Sequence, residues 1–222
     1  INVKGTLKAE YAEVADAFVS TTDGASLYVE KGGVVELQNA NINFSRYGEV
    51  YVYDGGCFSM TGGSMFASYY GTNIRSGGVM SLSGVEVKNT VTNQGTLEST
   101  DCTYSSYIKI STTTGLSGSN NTFMGECFRL DGFSGVTGDL LPFLSEDCSD
   151  EVYIGFYGNI YTTTISNISD ILPGGYKLVY HLTVASGHTV TLEEGVSINQ
   201  QSLDINVKGT LKAEYAEVAD AF

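Results

Sequence analysis

Charge is scarce in this chain. Asp, Glu, Lys and Arg make up 16% of its 222 residues, against roughly a quarter in an average globular protein, which argues against a helical bundle with its charged outer faces. Proline occurs twice, histidine twice and tryptophan not at all. Basic residues are outnumbered: 11 Lys and Arg stand against 25 Asp and Glu, a formal charge of -14. That balance excludes binding to a phosphate backbone or an anionic membrane surface, so nucleic acid is not an expected partner. No apolar run approaches the roughly 18 residues that cross a bilayer, so this segment is expected not to insert in a membrane. Ile1 to Glu10 carries no signal-peptide pattern, and any export signal or anchor is expected outside the piece given. What is abundant is apolar and turn-forming: 42% hydrophobic residues, 27 Gly, 15 Tyr and 10 Phe. A buried core is affordable at this composition, and disorder is not indicated.

A long repeat is the most informative feature. The segment INVKGTLKAEYAEVADAF stands at Ile1 to Phe18 and again, letter for letter, at Ile205 to Phe222, a period of 204 residues. Residues 1–204 therefore read as one full unit of a tandem array, and residues 205–222 as the start of the next, all in a single continuous domain. Setting aside Lys208, Lys212, Glu214, Glu217 and Asp220 of the second copy leaves 9 basic and 22 acidic residues, or -13 per unit.

A shorter, degenerate period lies inside the unit. Gly followed by alternating apolar residues recurs as KGTLKAEYAEV from Lys4, GGVVELQNANINF from Gly32, GGCFSMTGGSMF from Gly55, GGVMSLSGVEV from Gly77 and QGTLESTDCTY from Gln94. The anchoring glycines Gly5, Gly33, Gly56, Gly78 and Gly95 are 28, 23, 22 and 17 residues apart; Gly115, Gly135, Gly155, Gly175 and Gly195 continue at 20. Val35 and Leu37, Phe58 and Met60, Met80 and Leu82 are two residues apart and so share one face of a strand. Glu36, Ser59, Ser81 and Glu98 take the other. Short strands between Gly, Asn, Ser and Thr corners fit a sandwich as well as a coil. Recurrence of one pattern every roughly 20 residues selects the coil, because equivalent strands then stack in register.

The segment from Tyr176 to Glu214 resembles right-handed parallel β-helix (pectin-lyase-like) tandem repeats of large bacterial surface or secreted fibre and adhesin proteins. The resemblance rests on Leu182 and Val184; on Gly187, Thr189, Val190, Thr191, Leu192, Gly195, Val196 and Ile198; and on Leu203, Ile205, Val207, Gly209, Thr210, Leu211 and Ala213. It thins over Gly32 to Thr103 and nearly vanishes between Tyr104 and Ile171. It implies an all-β, right-handed β-solenoid of about ten rungs per 204-residue unit, at the cell surface or outside the cell.

That resemblance includes polysaccharide lyases and hydrolases, whose catalytic residues have recognisable chemistry. Glycoside hydrolysis needs two carboxylates across the scissile bond, and no Asp-Asp pair occurs. The three arginines, Arg46, Arg75 and Arg129, share no motif and read as solvated loop residues. His181 follows an aromatic at a strand start and His188 occupies a turn. No Gly-x-Ser-x-Gly, phosphate loop or Cys-x-x-Cys is present. The expectation is a protein that is not an enzyme and has no catalytic residues.

The acidic cluster of Glu146, Asp147, Asp150 and Glu151 offers oxygens to Ca²⁺ but lacks the Asp-x-Asp-x-Asp-Gly spacing. No dedicated cofactor is expected, and diffuse Ca²⁺ binding to the acidic rod is. Cys57, Cys102, Cys127 and Cys148 allow three disulfide connectivities. Cys127 and Cys148, 21 residues apart and so close to one turn, are the favoured pair if any forms, since adjacent rungs suit a disulfide's Cα separation; the alternative is four small core residues. Tyrosines such as Tyr28, Tyr51, Tyr53, Tyr69, Tyr70, Tyr153, Tyr157 and Tyr161 read as strand residues packing between rungs, with sugar stacking as the alternative. Threonine clusters at 21–22, 112–114 and 162–164 do not recur once per turn, which argues against an ice-binding face.

These readings converge on a stalk or fibre unit. Leu203, Ile205 and Val207 at one end and Ile1 and Val3 at the other are expected to form the stacking contact between units, with neighbouring copies of the repeat as the partners end to end and lateral fibre contacts or glycans as further ones. A unit holding a whole number of turns would give a rigid acidic rod. The rival function is an adhesin module whose face binds carbohydrate or a cell surface.

Overall fold

The computed structural model describes residues 1–10, 13–15, 26–44, 48–67, 70–146 and 148–219. Every strand pairing in it is parallel, and the chain winds as a β-solenoid around one apolar core. One ladder runs its whole length. Asn2, Tyr28, Tyr51, Asn73, Thr92, Lys109, Arg129, Gly155, Lys177, Asn199 and Ala219 stand directly over one another, each one turn beyond the last. From Asn2 to Asn199 the coil makes nine turns, one fewer than the spacing of the glycines suggested.

The alternation seen in the sequence decides which side chains enter the core. Val34–Phe44 pairs with Cys57–Ala67 over both of its halves. Val35, Leu37, Ile42 and Phe44 point inward at 0–3% exposure, while Glu36 and Gln38 face solvent. The strand turns its corner at Asn39, whose positive φ of 49° a short polar side chain tolerates. Gly62, Gly84, Asp101 and Asn120 repeat that left-handed corner on later turns, with φ between 56° and 64°.

The anchoring glycines occupy the preceding corner for a steric reason. A Cβ on Gly33 would lie 2.1 Å from the carbonyl oxygen of Val3, one on Gly56 2.5 Å from that of Val29, and one on Gly78 2.7 Å from that of Val52. The 20-residue series from Gly115 does not describe a second such column. Gly115, Gly175 and Gly195 lie at turns, whereas Gly135 and Gly155 sit inside the strands Glu126–Val136 and Tyr153–Ile165.

The stretch in which the repeat pattern fades is where the coil changes frame. Two ladders built on Thr6–Glu10 and Glu13–Ala15 run up to Leu116–Ser119 and Thr122–Phe123. There a 3₁₀ turn, Thr137–Phe143, packs against Leu116–Ser119, and Leu144 bridges to Asn121. Asn121 seals that level. Its Nδ2 donates to the carbonyls of Ser99 and Phe143, both at 2.8 Å, and its Oδ1 accepts from Ser99 Oγ and the Cys102 amide. Two new ladders start beside the continuous one: Phe133 to Ile160, Val184 and Val207, and Gly135 to Thr163, Val190 and Leu211.

Candidate stacking interface

The two copies of the repeated segment adopt the same three short strands at opposite ends of the solenoid. Asn2–Val3, Thr6–Glu10 and Glu13–Ala15 correspond to Ile205–Val207, Thr210–Ala213 and Glu217–Ala219. Identical sequence and like conformation let the two be read as one coil seen from its two sides.

Among the described residues the first copy pairs only forward. Asn2 and Val3 lie against Tyr28 and Val29, Leu7 and Ala9 against Val35 and Leu37, and Val14 against Ile42. Among the described residues the second copy pairs only backward. Val207 lies against Val184, Leu211 and Ala213 against Val190 and Leu192, and Val218 against Ile198. Superposing the copies gives three columns without a gap in register: Val184, Val207/Val3, Val29; then Val190, Leu211/Leu7, Val35; then Ile198, Val218/Val14, Ile42. Val184, Val190 and Ile198, like Val29, Val35 and Ile42, are buried. Each of the three columns is thus apolar on both sides of the shared coil.

The five stacking residues named from the sequence fall at this coil. Val3 is buried at 6% exposure by the turn above it, whereas Val207, the same residue in the copy with no turn above, is 49% exposed. Ile205 and Leu203 pack partly buried on the core, and Ile1 is exposed at the other end. On the outer face Lys8 forms an ion pair with Glu36, and its counterpart Lys212 stands over Thr191. A glycine adds a detail that no motif search would isolate. A Cβ on Gly5 would meet nothing within 4 Å, but on its copy Gly209 it would lie 2.3 Å from the Ala185 carbonyl oxygen. Only the presence of a preceding turn gives this position a reason to be glycine.

The other sequence candidates are dispersed. Arg75 is exposed in the loop after the strand Gly71–Ile74, as expected, whereas Arg129 is not a loop residue. Arg129 lies within Glu126–Val136, chelated by both Glu126 oxygens, bonded to the Tyr107 hydroxyl at 2.7 Å and stacked 3.7 Å over the Tyr107 ring. Arg75 bonds the Tyr51 hydroxyl and Gln94 and lies 4.8 Å from the Tyr51 ring centre. With Lys109 paired to Asp131 and Lys177 over the Tyr153 ring, these cations form an aromatic and basic face along the continuous ladder. The rings of Tyr28, Tyr51 and Tyr53 pack on one another at 4.5–6.3 Å. Arg46 and Tyr69 lie outside the described residues. His181 accepts from the Asp204 amide and lies 3.3 Å from its carboxylate, while His188 contacts Thr162 and Tyr161.

Cys57, Cys102 and Cys127 are free thiols. Cys127 is fully buried and donates to the Tyr153 carbonyl at 3.2 Å; burial pushes its pKa up, and the neighbouring Cys148 adds to the shift. Cys102 is buried in the core and Cys57 is exposed. Glu146 borders an open groove of about 830 Å³ with Asn120, Pro142 and Asp170. Asp150 and Glu151 are exposed, and Asp147 lies outside the described residues. Among the described residues no three His, Cys, Asp or Glu side chains converge on a metal site.

Comparison with known proteins adds one likeness. The crystal structure of a TibA fragment hyper-glycosylated by TibC aligns over 98% of this chain and 93% of that one, at 16% identity and a TM-score of 0.34. A likeness at that score bears no weight, and the fold rests on the ladders themselves. No protein-family description and no curated protein matches the chain.

Proposed function

We propose that the chain is a repeat unit of a tandem-array extracellular fibre or stalk, in which successive units share one uninterrupted core and no catalysis takes place. The observation that carries this reading is the shared coil: one 18-residue sequence, present twice, pairs forward in one copy and backward in the other, with apolar residues meeting apolar residues on both sides. Stacking the units continues every backbone ladder, covers the open strand edges that would otherwise recruit unrelated chains, and buries Val207, Leu211 and Val218. Nearest-neighbour contacts of this kind make a solenoid stiff along its length. The charge of -13 per unit keeps neighbouring rods apart and attracts divalent cations diffusely.

Proteins of two, three and four units test this. Electron microscopy is expected to show unbranched rods that lengthen by about 45 Å per unit, nine turns and a third at about 4.8 Å each. Separate beads joined by flexible links would overturn the shared core. The adhesin reading draws on the exposed aromatic and basic face, but its cations already lie over or beside the tyrosine rings, which leaves fewer ring faces open to a sugar.

A further inference from the structure

The continuous ladder also fixes how one unit is turned relative to the next. In a unit with a whole number of turns, the copy of Asn2 would stand on the ladder that begins at Asn2. It does not. Asn206 pairs with Thr183, on the adjacent ladder. The residue that closes the Asn2 ladder is Ala219, the copy of Ala15. In the first copy Ala15 pairs with Asn43, on the third face of the coil. The first-face ladder of one unit therefore runs straight into the third-face ladder of the next.

We propose that successive units of the array are related by a screw of about one face, a third of a turn, so that each surface feature of the unit appears on three sides of the rod in succession and returns to the same side only after three units. This rests on the shared-core reading above. Between Glu126 and Ile165 the coil changes frame: two ladders end under Thr137–Phe143 and two run on from Phe133 and Gly135, joined to the turn before by Thr112 against Ser134, while the ladder through Lys109, Arg129 and Gly155 passes through. Nine turns bring that ladder from Asn2 to Asn199, and Asn206 stands one face further on, so the unit holds nine turns and one face.

The consequence concerns what the rod can contact. The face bearing Tyr28, Tyr51, Arg75, Lys109, Arg129 and Lys177 cannot form a continuous stripe along the array. A partner surface lying along one side meets it once every three units, about 134 Å at about 4.8 Å per turn. The end of each unit accepts the next copy in one rotational setting of the three.

Gold labelling of Cys57 reads the setting directly, because its thiol is exposed while Cys102 and Cys127 are buried. A six-unit protein carrying Cys148→Ser in each unit, labelled with maleimide-gold and imaged by electron cryotomography, is expected to show particles advancing about 45 Å and about a third of a turn per unit. The unlabelled wild-type rod should give an averaged repeat of three units, which guards against disturbance by the label or the substitution. Particles in a single line at one-unit spacing, or an averaged repeat of one unit in an intact rod, would overturn the screw and leave the shared core standing. Loss of the rod in the unlabelled wild-type protein would overturn both.

Discussion

At the scale of the residue, what stabilises this molecule is the absence of side chains at one corner and the satisfaction of polar groups at others. Gly5 and Gly209 make the first point measurable, since they are the same position with and without a turn beneath. In the single-unit protein Gly209→Ala is expected to lower stability by about 1–3 kcal/mol through overpacking, and Gly5→Ala to change it by less than about 0.5 kcal/mol. In a two-unit protein Gly209, now the fifth residue of a complete second unit, should keep that intolerance while Gly5 of the first unit stays tolerant. Denaturant midpoints measure both, and equal small effects everywhere would contradict the stacking of Gly209 on Ala185. Buried phenols and thiols set the pH limit. Burial raises the pKa of Tyr104 and Tyr176 from 10.0, and that of Cys127 from 9.0, with hydrogen bonds to Ser99, Thr137 and the Phe128 backbone opposing it only in part. Raised folded pKa values mean the stabilisation is complete below the unfolded values and is lost as pH climbs toward the folded ones. Stability is expected to be flat in these groups up to about pH 9 and to fall above it. Tyrosinate absorbance should show Tyr104 and Tyr176 ionising only together with unfolding; ionisation of every tyrosine in the still-folded protein would refute their burial.

At the scale of the element, the 3₁₀ turn Thr137–Phe143 has internal hydrogen bonds of poorer geometry than those of an α-helix and depends on what grips it. The Tyr176 hydroxyl lies 2.6 Å from Thr137 Oγ1 and donates to the Ser166 carbonyl at 2.8 Å, while Thr137 Oγ1 accepts from the Ser166 amide. Leu140 and Phe143 fill the core on its inner side. Tyr176→Phe leaves the Ser166 carbonyl short of a partner in a buried site, at a cost of about 1–3 kcal/mol. Hydrogen exchange is the discriminating measurement: protection should drop at residues 137–143 and 166–176 while the turns around Val35 and Phe58 keep theirs. A uniform drop would mean that the contact supports the whole coil rather than the frame change.

At the scale of the whole molecule, contacts in a solenoid are between neighbours, and a second unit helps the first only through the coil they share. If Val207, Leu211 and Val218 are covered as the register requires, a two-unit protein is expected to unfold in one transition, at a higher midpoint and with a larger denaturant slope than the single unit. Two transitions, or a midpoint unchanged on doubling, would mean that the units are separate domains.

The strand faces, the glycine corner and the repeat follow from the order of residues alone. These are local matters: alternation of apolar and polar residues sends Val35, Leu37, Phe58 and Met60 inward whatever lies around them, and an 18-residue identity is visible without coordinates. Tertiary structure decided the number of turns and their phase. Between Tyr104 and Ile171 the chain departs from the repeat pattern, and its inserted 3₁₀ turn and two long strands carry no periodic signal from which the extra strand position could be counted. Whether Asn206 returns to the ladder of Asn2 depends on which strand lies over which across that insertion, and pairing between distant segments is a property of the packed coil. The pairing of Arg129 with Glu126 and Tyr107 was hidden for the same reason: its Tyr107 partner lies 22 residues away, one turn earlier, and only stacking brings the ring beneath the guanidinium.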